Sequence, residues 1–139
     1  MAPKKIPAVN VEKGQHIDYQ RKALQFFNVM KICLQDGEWD AVLLNGIHAS
    51  ISMNDALTIF RLGKRSSGKS HQEATILLSQ VVAGQEEGKK NVTRLSQILD
   101  AKNAVEYESR RFSEREARYF AQQVERFVEW VEKQLPNAA

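Results

Sequence analysis

The chain has 139 residues, long enough for one domain with a buried core, so neither a metal nor a disulfide is required to hold it together. Its 20 Lys and Arg against 17 Asp and Glu leave a formal charge of +3, too small an excess to identify nucleic acid as the partner by charge alone. One cysteine excludes an internal disulfide framework, and every apolar stretch is interrupted well short of the roughly 20 residues that would span a bilayer, so a soluble protein with no membrane partner is expected.

Residues 1–15 carry Lys4 and Lys5, are broken by Pro3 and Pro7, and lack the apolar run of a secretory signal. They read as a disordered basic arm before a single domain at 16–136, with 137–139 as a tail. The first helix is expected from about Ile17 to Gln35, where Ala23, Phe27, Met30 and Leu34 recur at helical spacing, and it ends at Asp36-Gly37. Cys33 lies there among Phe26, Val29 and Leu34, where a thiol acts as a small apolar side chain; this fits a reducing cytoplasm.

A second helix, about Glu38 to Leu62, carries Trp39, Leu43, Ile47, Ile51, Leu57 and Phe60 around much of its circumference, as a central helix packed on several sides would. It stops at Gly63. The polar stretch Lys64 to Lys69 reads as a flexible loop, and Ser70 with Glu73 has capping-box spacing for a third helix starting near His71 and ending at Gly84. A fourth helix is expected from Asn91, an N-cap residue type, with Val92, Leu95, Ile98 and Leu99 on one face; Lys102 to Phe112 then reads as a short linker with a helical turn. The last helix is marked by a second capping box, Ser113 and Glu116, with Phe112 and Ala117 at staple spacing, and it keeps one apolar stripe from Ala117 to Leu135. No period-two run indicates a strand. The fold class is all-α, an antiparallel bundle of about five helices.

On the second helix Asn45, His48, Ser52 and Asp55 follow at steps of three, four and three, so they share a face. Unpaired buried polar groups cost on the order of 1 to 3 kcal/mol each, so this stripe meets polar partners, meets a second subunit or lines a cleft. A hydrogen-bonded network and a functional pocket account for it equally well. His16, His48 and His71 are far apart and none has metal-ligand spacing with a neighbour, so no metal and no cofactor is expected. No Gly-x-Ser-x-Gly elbow supports serine catalysis, and Gly63 to Gly68 lacks phosphate-loop spacing. Lys64, Arg65, Lys69 and His71 surround the start of the third helix, where free backbone N–H groups favour an anion.

Read together, Ile47-His48-Ala49-Ser50-Ile51-Ser52-Met53-Asn54-Asp55-Ala56-Leu57, Leu62-Gly63-Lys64-Arg65-Ser66, His71-Gln72-Glu73-Ala74 and Lys102-Asn103-Ala104-Val105-Glu106-Tyr107 resemble a HEPN domain of the small prokaryotic type, over about residues 17 to 135. The resemblance implies a four- or five-helix bundle that dimerises, is often encoded beside a minimal nucleotidyltransferase, and serves toxin-antitoxin or defence systems acting on RNA. Many members are metal-independent ribonucleases whose signature is an Arg, a polar residue and a His about five positions after the Arg, before the last helix. Here Lys102, Asn103 and Tyr107 occupy those places. Lysine lacks the bidentate fork of arginine, and tyrosine, whose unperturbed pKa is about 10, is a poor proton carrier near neutrality. Arg65 and His71 match the spacing of the signature but precede the third helix.

The leading expectation is therefore a HEPN-like homodimer with a degenerate ribonuclease motif, which binds a partner protein (a nucleotidyltransferase-like protein among them), a nucleotide or RNA. Its ligand site would draw on Lys102, Asn103 and Tyr107 with Asn45, His48, Ser52 and Asp55. Apolar positions in excess on the second and last helices also point to a dimer. The alternatives are an RNA-cleaving toxin using Lys102, Tyr107, His48 or Asp55, and a structural helical adaptor.

Overall fold

A computed structural model describes residues 7–68 and 70–136. Helices α1 (His16–Asp36) and α2 (Trp39–Leu62) form a hairpin, followed by α3 (His71–Val81), α4 (Glu86–Asp100), the short α5 (Lys102–Tyr107) and α6 (Glu114–Gln134). Gly37 at φ +75° and Gly63 at φ +68° end the first two helices in the left-handed conformation that only glycine adopts without strain. The Ser70 hydroxyl accepts from the Glu73 N–H at the start of α3, and a complete capping box, with Phe112 and Ala117 both buried beside it, starts α6.

Helix α2 is the axis of the fold, packed against α1, α3, α5 and α6. Ile47, Met53, Leu57 and Ile59 from α2 are fully buried, as are Phe127, Val128 and Val131 from α6. Gly46 allows this crossing: a Cβ there would sit 2.7 Å from the Phe120 ring and 3.0 Å from both Met30 Sδ and Val124 Cγ2. Most apolar positions of α2 and α6 are thus covered within one chain, with Leu44 of α2 and Tyr119 of α6 left exposed. Among the described residues, three exposed apolar side chains, Ile17, Val29 and Ile32, fall on α1, and Val9 and Ile76 are exposed elsewhere.

Three elements depart from the sequence reading. Ala8–Asn10 forms β1, which pairs antiparallel with β2 (Lys64–Ser66), so part of the arm and part of the loop after α2 are regular. Three-residue strands are too short to show a period-two pattern, and here the partner strand and the Val11 N–H to Gly63 carbonyl bond (2.9 Å) supply the order. Residues 1–6 and the tail 137–139 lie outside the described residues. Helix α4 begins at Glu86 rather than Asn91, because acidic residues suit its first turn and Gly88 lets the helix approach Val82, where a Cβ would come within 2.4 Å. Asn91 is buried instead, donating to the Glu87 carbonyl at 2.9 Å and accepting from Arg94 at 2.7 Å.

Candidate functional site

The segment after α4 supplies one wall of a cleft of about 440 Å³. Ala104 and Val105 pack α5 on the core, so Lys102, Asn103, Glu106 and Tyr107 open into the cleft together with Asp100 from the end of α4. The opposite wall is the start of α3, with Ser70, His71 and Gln72. His71 therefore stands across from the Lys102–Tyr107 segment, 31 positions before Lys102 in the chain. Sequence spacing placed His71 in a different region because it registers only neighbours along the chain.

The other sequence candidates are distributed elsewhere. Lys64 is exposed, Arg65 is half-buried in β2 with Nη1 donating to the Ser66 carbonyl at 3.1 Å, and Lys69 lies outside the described residues. Arg65 does not line the cleft that His71 lines. The α2 stripe does not reach the cleft either. Asn45 donates to the Ala41 carbonyl of its own helix at 2.8 Å, and the His48 ring lies 5.4 Å from that of Phe26 on α1. Ser52 and Asp55 are buried. His48 and Asp55 are therefore not brought together with Lys102 and Tyr107.

Asp55 is the one residue of the stripe with strongly altered chemistry. Burial pushes its carboxyl up from 3.8 to about 7, although Arg65 and Lys22 pull the other way. Its Oδ1 has no hydrogen-bond partner among the described residues, and neither do Ser50 Oγ, Asn54 Oδ1 and Arg65 Nε, all buried.

Chemically, the cleft offers the Lys102 ammonium and the His71 imidazole to an anion and the Asp100 and Glu106 carboxylates to hydrogen-bond donors. Tyr107, 79% exposed, offers a ring to a planar group. Among the described residues Lys102 makes no ion pair. Asp100, Glu106, Ser70 and Gln72 are not site residues in the sequence reading, since nothing in their spacing ties them to Lys102. A larger groove of about 720 Å³ between α1 and the end of α6 contains none of the motif residues. No group of three or more potential metal ligands occurs among the described residues, and none of their helices is long and apolar enough to cross a membrane.

No curated protein is similar enough to this chain to match it. Residues 18–134 match the HEPN domain family, a span that holds α2 to α6 entire, all but two residues of α1, and both walls of the cleft. With that span and the all-α bundle built around α2, the chain belongs to the HEPN domain family.

Proposed function

We propose that this protein is a homodimeric HEPN module that binds single-stranded RNA in the α3–α5 cleft. The observation that carries this reading is that Lys102, Asn103 and Tyr107, at the family's signature positions, share one cleft with His71. Lysine and histidine suit a phosphate, and an exposed tyrosine ring suits an unstacked base, a pairing typical of sequence-tolerant single-strand binding. Few cations are involved, so binding is weak and sensitive to salt. Each neutralised phosphate of a single strand contributes about −0.7 to the slope of log K against log salt.

Fluorescence titration of a labelled single-stranded RNA at several salt concentrations tests this. Lys102→Ala is expected to weaken binding about five- to tenfold and to flatten the salt slope by about 0.7, and Tyr107→Ala to weaken binding without changing that slope. Wild-type affinity in both variants would leave a protein partner, of the nucleotidyltransferase kind, as the better reading. Cleavage is a second reading, favoured by His71, which brings to the cleft the imidazole that position 107 lacks. RNA cut in EDTA by the wild type, with His71→Gln inactive at an unchanged melting temperature, would establish it.

The dimer reading rests on the exposed apolar side chains of α1 and on the family. Light scattering at micromolar concentration is expected to give twice the chain mass. Val29→Glu combined with Ile32→Glu is expected to give the single-chain mass with the helical content retained; a wild-type monomer would sink this part of the proposal.

A further inference from the structure

Arg94, in the middle of α4, is held in place by neutral groups. Its Nη1 donates to Asn91 Oδ1 at 2.7 Å, and its Nε donates to Gln123 Oε1 of α6 at 3.1 Å. Asn91 is fully buried and its own amide nitrogen is fixed on the Glu87 carbonyl at 2.9 Å, so this acceptor is locked. A guanidinium has five N–H donors; two are used here, and three remain on the Nη atoms. Among the described residues Arg94 makes no ion pair. An arginine kept only to tie α4 to α6 is better served by a carboxylate, which makes a shorter and stronger bond than an amide. A neutral frame instead fixes the direction of the fork and leaves its charge uncancelled, which suits an anion arriving from solvent.

The surroundings of Arg94 add charge of the same sign. It lines a groove of about 640 Å³ between α4 and the second half of α6, together with Glu87, Arg126, Glu129, Trp130 and Lys133. That volume is in the range of a small-ligand site. Glu87 is engaged with Lys90 at 3.8 Å, whereas Arg126, Glu129 and Lys133 make no ion pair among the described residues. Three cations against the Glu129 carboxylate leave two positive charges in the groove, which a dianion balances. The groove shares no lining residue with the α3–α5 cleft, so what it binds is independent of the RNA reading of that cleft.

We propose that the α4–α6 groove is a binding site for a phosphate monoester, with Arg94 as its fixed fork and Arg126 and Lys133 as the cations of its α6 side. A phosphate monoester carries a charge of about −1.5 to −2 near neutrality and three terminal oxygens, against the two net charges of the groove and the three free donors of Arg94. A carboxylate or an internal phosphodiester brings one charge and leaves a cation unbalanced. The same group is carried by a free nucleotide and by the 5′ end of an RNA strand.

The test follows the indole N–H resonances of the full chain, Trp130 in the groove and Trp39 at the start of α2, while sodium phosphate replaces sodium chloride at pH 8 and constant ionic strength. Phosphate is expected to move the Trp130 resonance saturably, with a dissociation constant in the millimolar range, and to leave that of Trp39 in place. Arg126→Gln combined with Lys133→Gln, both at exposed positions, should weaken binding about tenfold or more at an unchanged melting temperature. Arg94→Lys, which keeps the charge and loses the fork, should weaken it about tenfold. A purely structural Arg94 would instead lower the melting temperature of Arg94→Lys and leave the phosphate affinity at its wild-type value, which overturns the inference. So does wild-type affinity in the double variant, or a Trp130 resonance that does not respond to phosphate. AMP against adenosine, and 5′-phosphorylated against 5′-hydroxyl RNA, identify the carrier by the same Trp130 signal. A gain with AMP alone assigns the groove to a free nucleotide, a gain with the RNA pair assigns it to a strand end, and no gain in either pair overturns the proposal.

Discussion

Asp55→Asn is expected to make the protein more stable at pH 8 and to abolish the gain in stability that the wild type shows on mild acidification. The Asp55 carboxyl titrates at 3.8 in the unfolded chain and at about 7 in the fold, because burial penalises its charged form more than Arg65 and Lys22 favour it. The folded state therefore binds this proton first as pH falls. The contribution to stability is complete below about 3.8 and is lost as pH rises through about 7, the reverse of an ordinary paired aspartate. The gap between the two values corresponds to a loss on the order of 4 kcal/mol at pH 8, and a neutral amide of the same shape avoids it. Glu116 runs the other way, since the Ser113 backbone N–H and then Arg110 hold its carboxyl below the usual range, so its share is lost in acid. Thermal unfolding at pH 8 and pH 5 reads the outcome. The wild type should melt about 10 °C higher at pH 5 than at pH 8, and Asp55→Asn should exceed the wild type at pH 8 and change little between the two. An Asp55→Asn protein that melts below the wild type at pH 8 would mean that the ionised carboxylate is net stabilising and that burial does not dominate.

Gly46→Val is expected to cost about 3 kcal/mol or more, with Gly46→Ala milder. Position 46 lies where α2 is wedged between α1 and α6, and even the first added carbon meets the Phe120 ring at 2.7 Å. Overpacking of this kind costs about 1 to 3 kcal/mol for a small intrusion, and a branched residue adds two methyl groups to a space already filled. Alanine recovers up to about 1 kcal/mol through its better helix propensity, and valine recovers less because of its restricted rotamers. Urea unfolding gives the values. A Gly46→Val protein within about 0.5 kcal/mol of wild type would show that Met30, Phe120 and Val124 repack freely and that the crossing is looser than it looks. Phe120→Leu combined with Gly46→Ala should recover part of the loss, because the clash is with that ring.

Where a feature is local, it was legible from the residues. The serine caps of α3 and α6 were legible because a cap is settled within four residues, by one hydroxyl and one backbone N–H, but the capping box closes only at α6, since at α3 the Glu73 carboxylate accepts from the Ser67 hydroxyl instead. The glycine stops of α1 and α2 were legible for the same reason. Asn91 was misread because the same side chain that caps a helix can also bond back to a carbonyl four residues earlier, and burial against Arg94 decides between the two.

The stripe Asn45, His48, Ser52 and Asp55 shows the division within one element. Helical spacing puts the four residues on a common face whatever surrounds them. Only packing turned that face away from the cleft: His48 meets Phe26, and Asp55 is buried. The all-α class, the glycine stops of α1 and α2 and the serine caps of α3 and α6 follow from the sequence by itself, since periodicity and caps are short-range properties of the chain. The pairing of β1 with β2, the covering of α2 and α6 within one chain, and the meeting of His71 with Lys102 were decided by the tertiary structure alone. Each joins segments far apart in sequence, and what brings them together is the burial of apolar surface around α2, which leaves no signal at the residues it happens to place side by side.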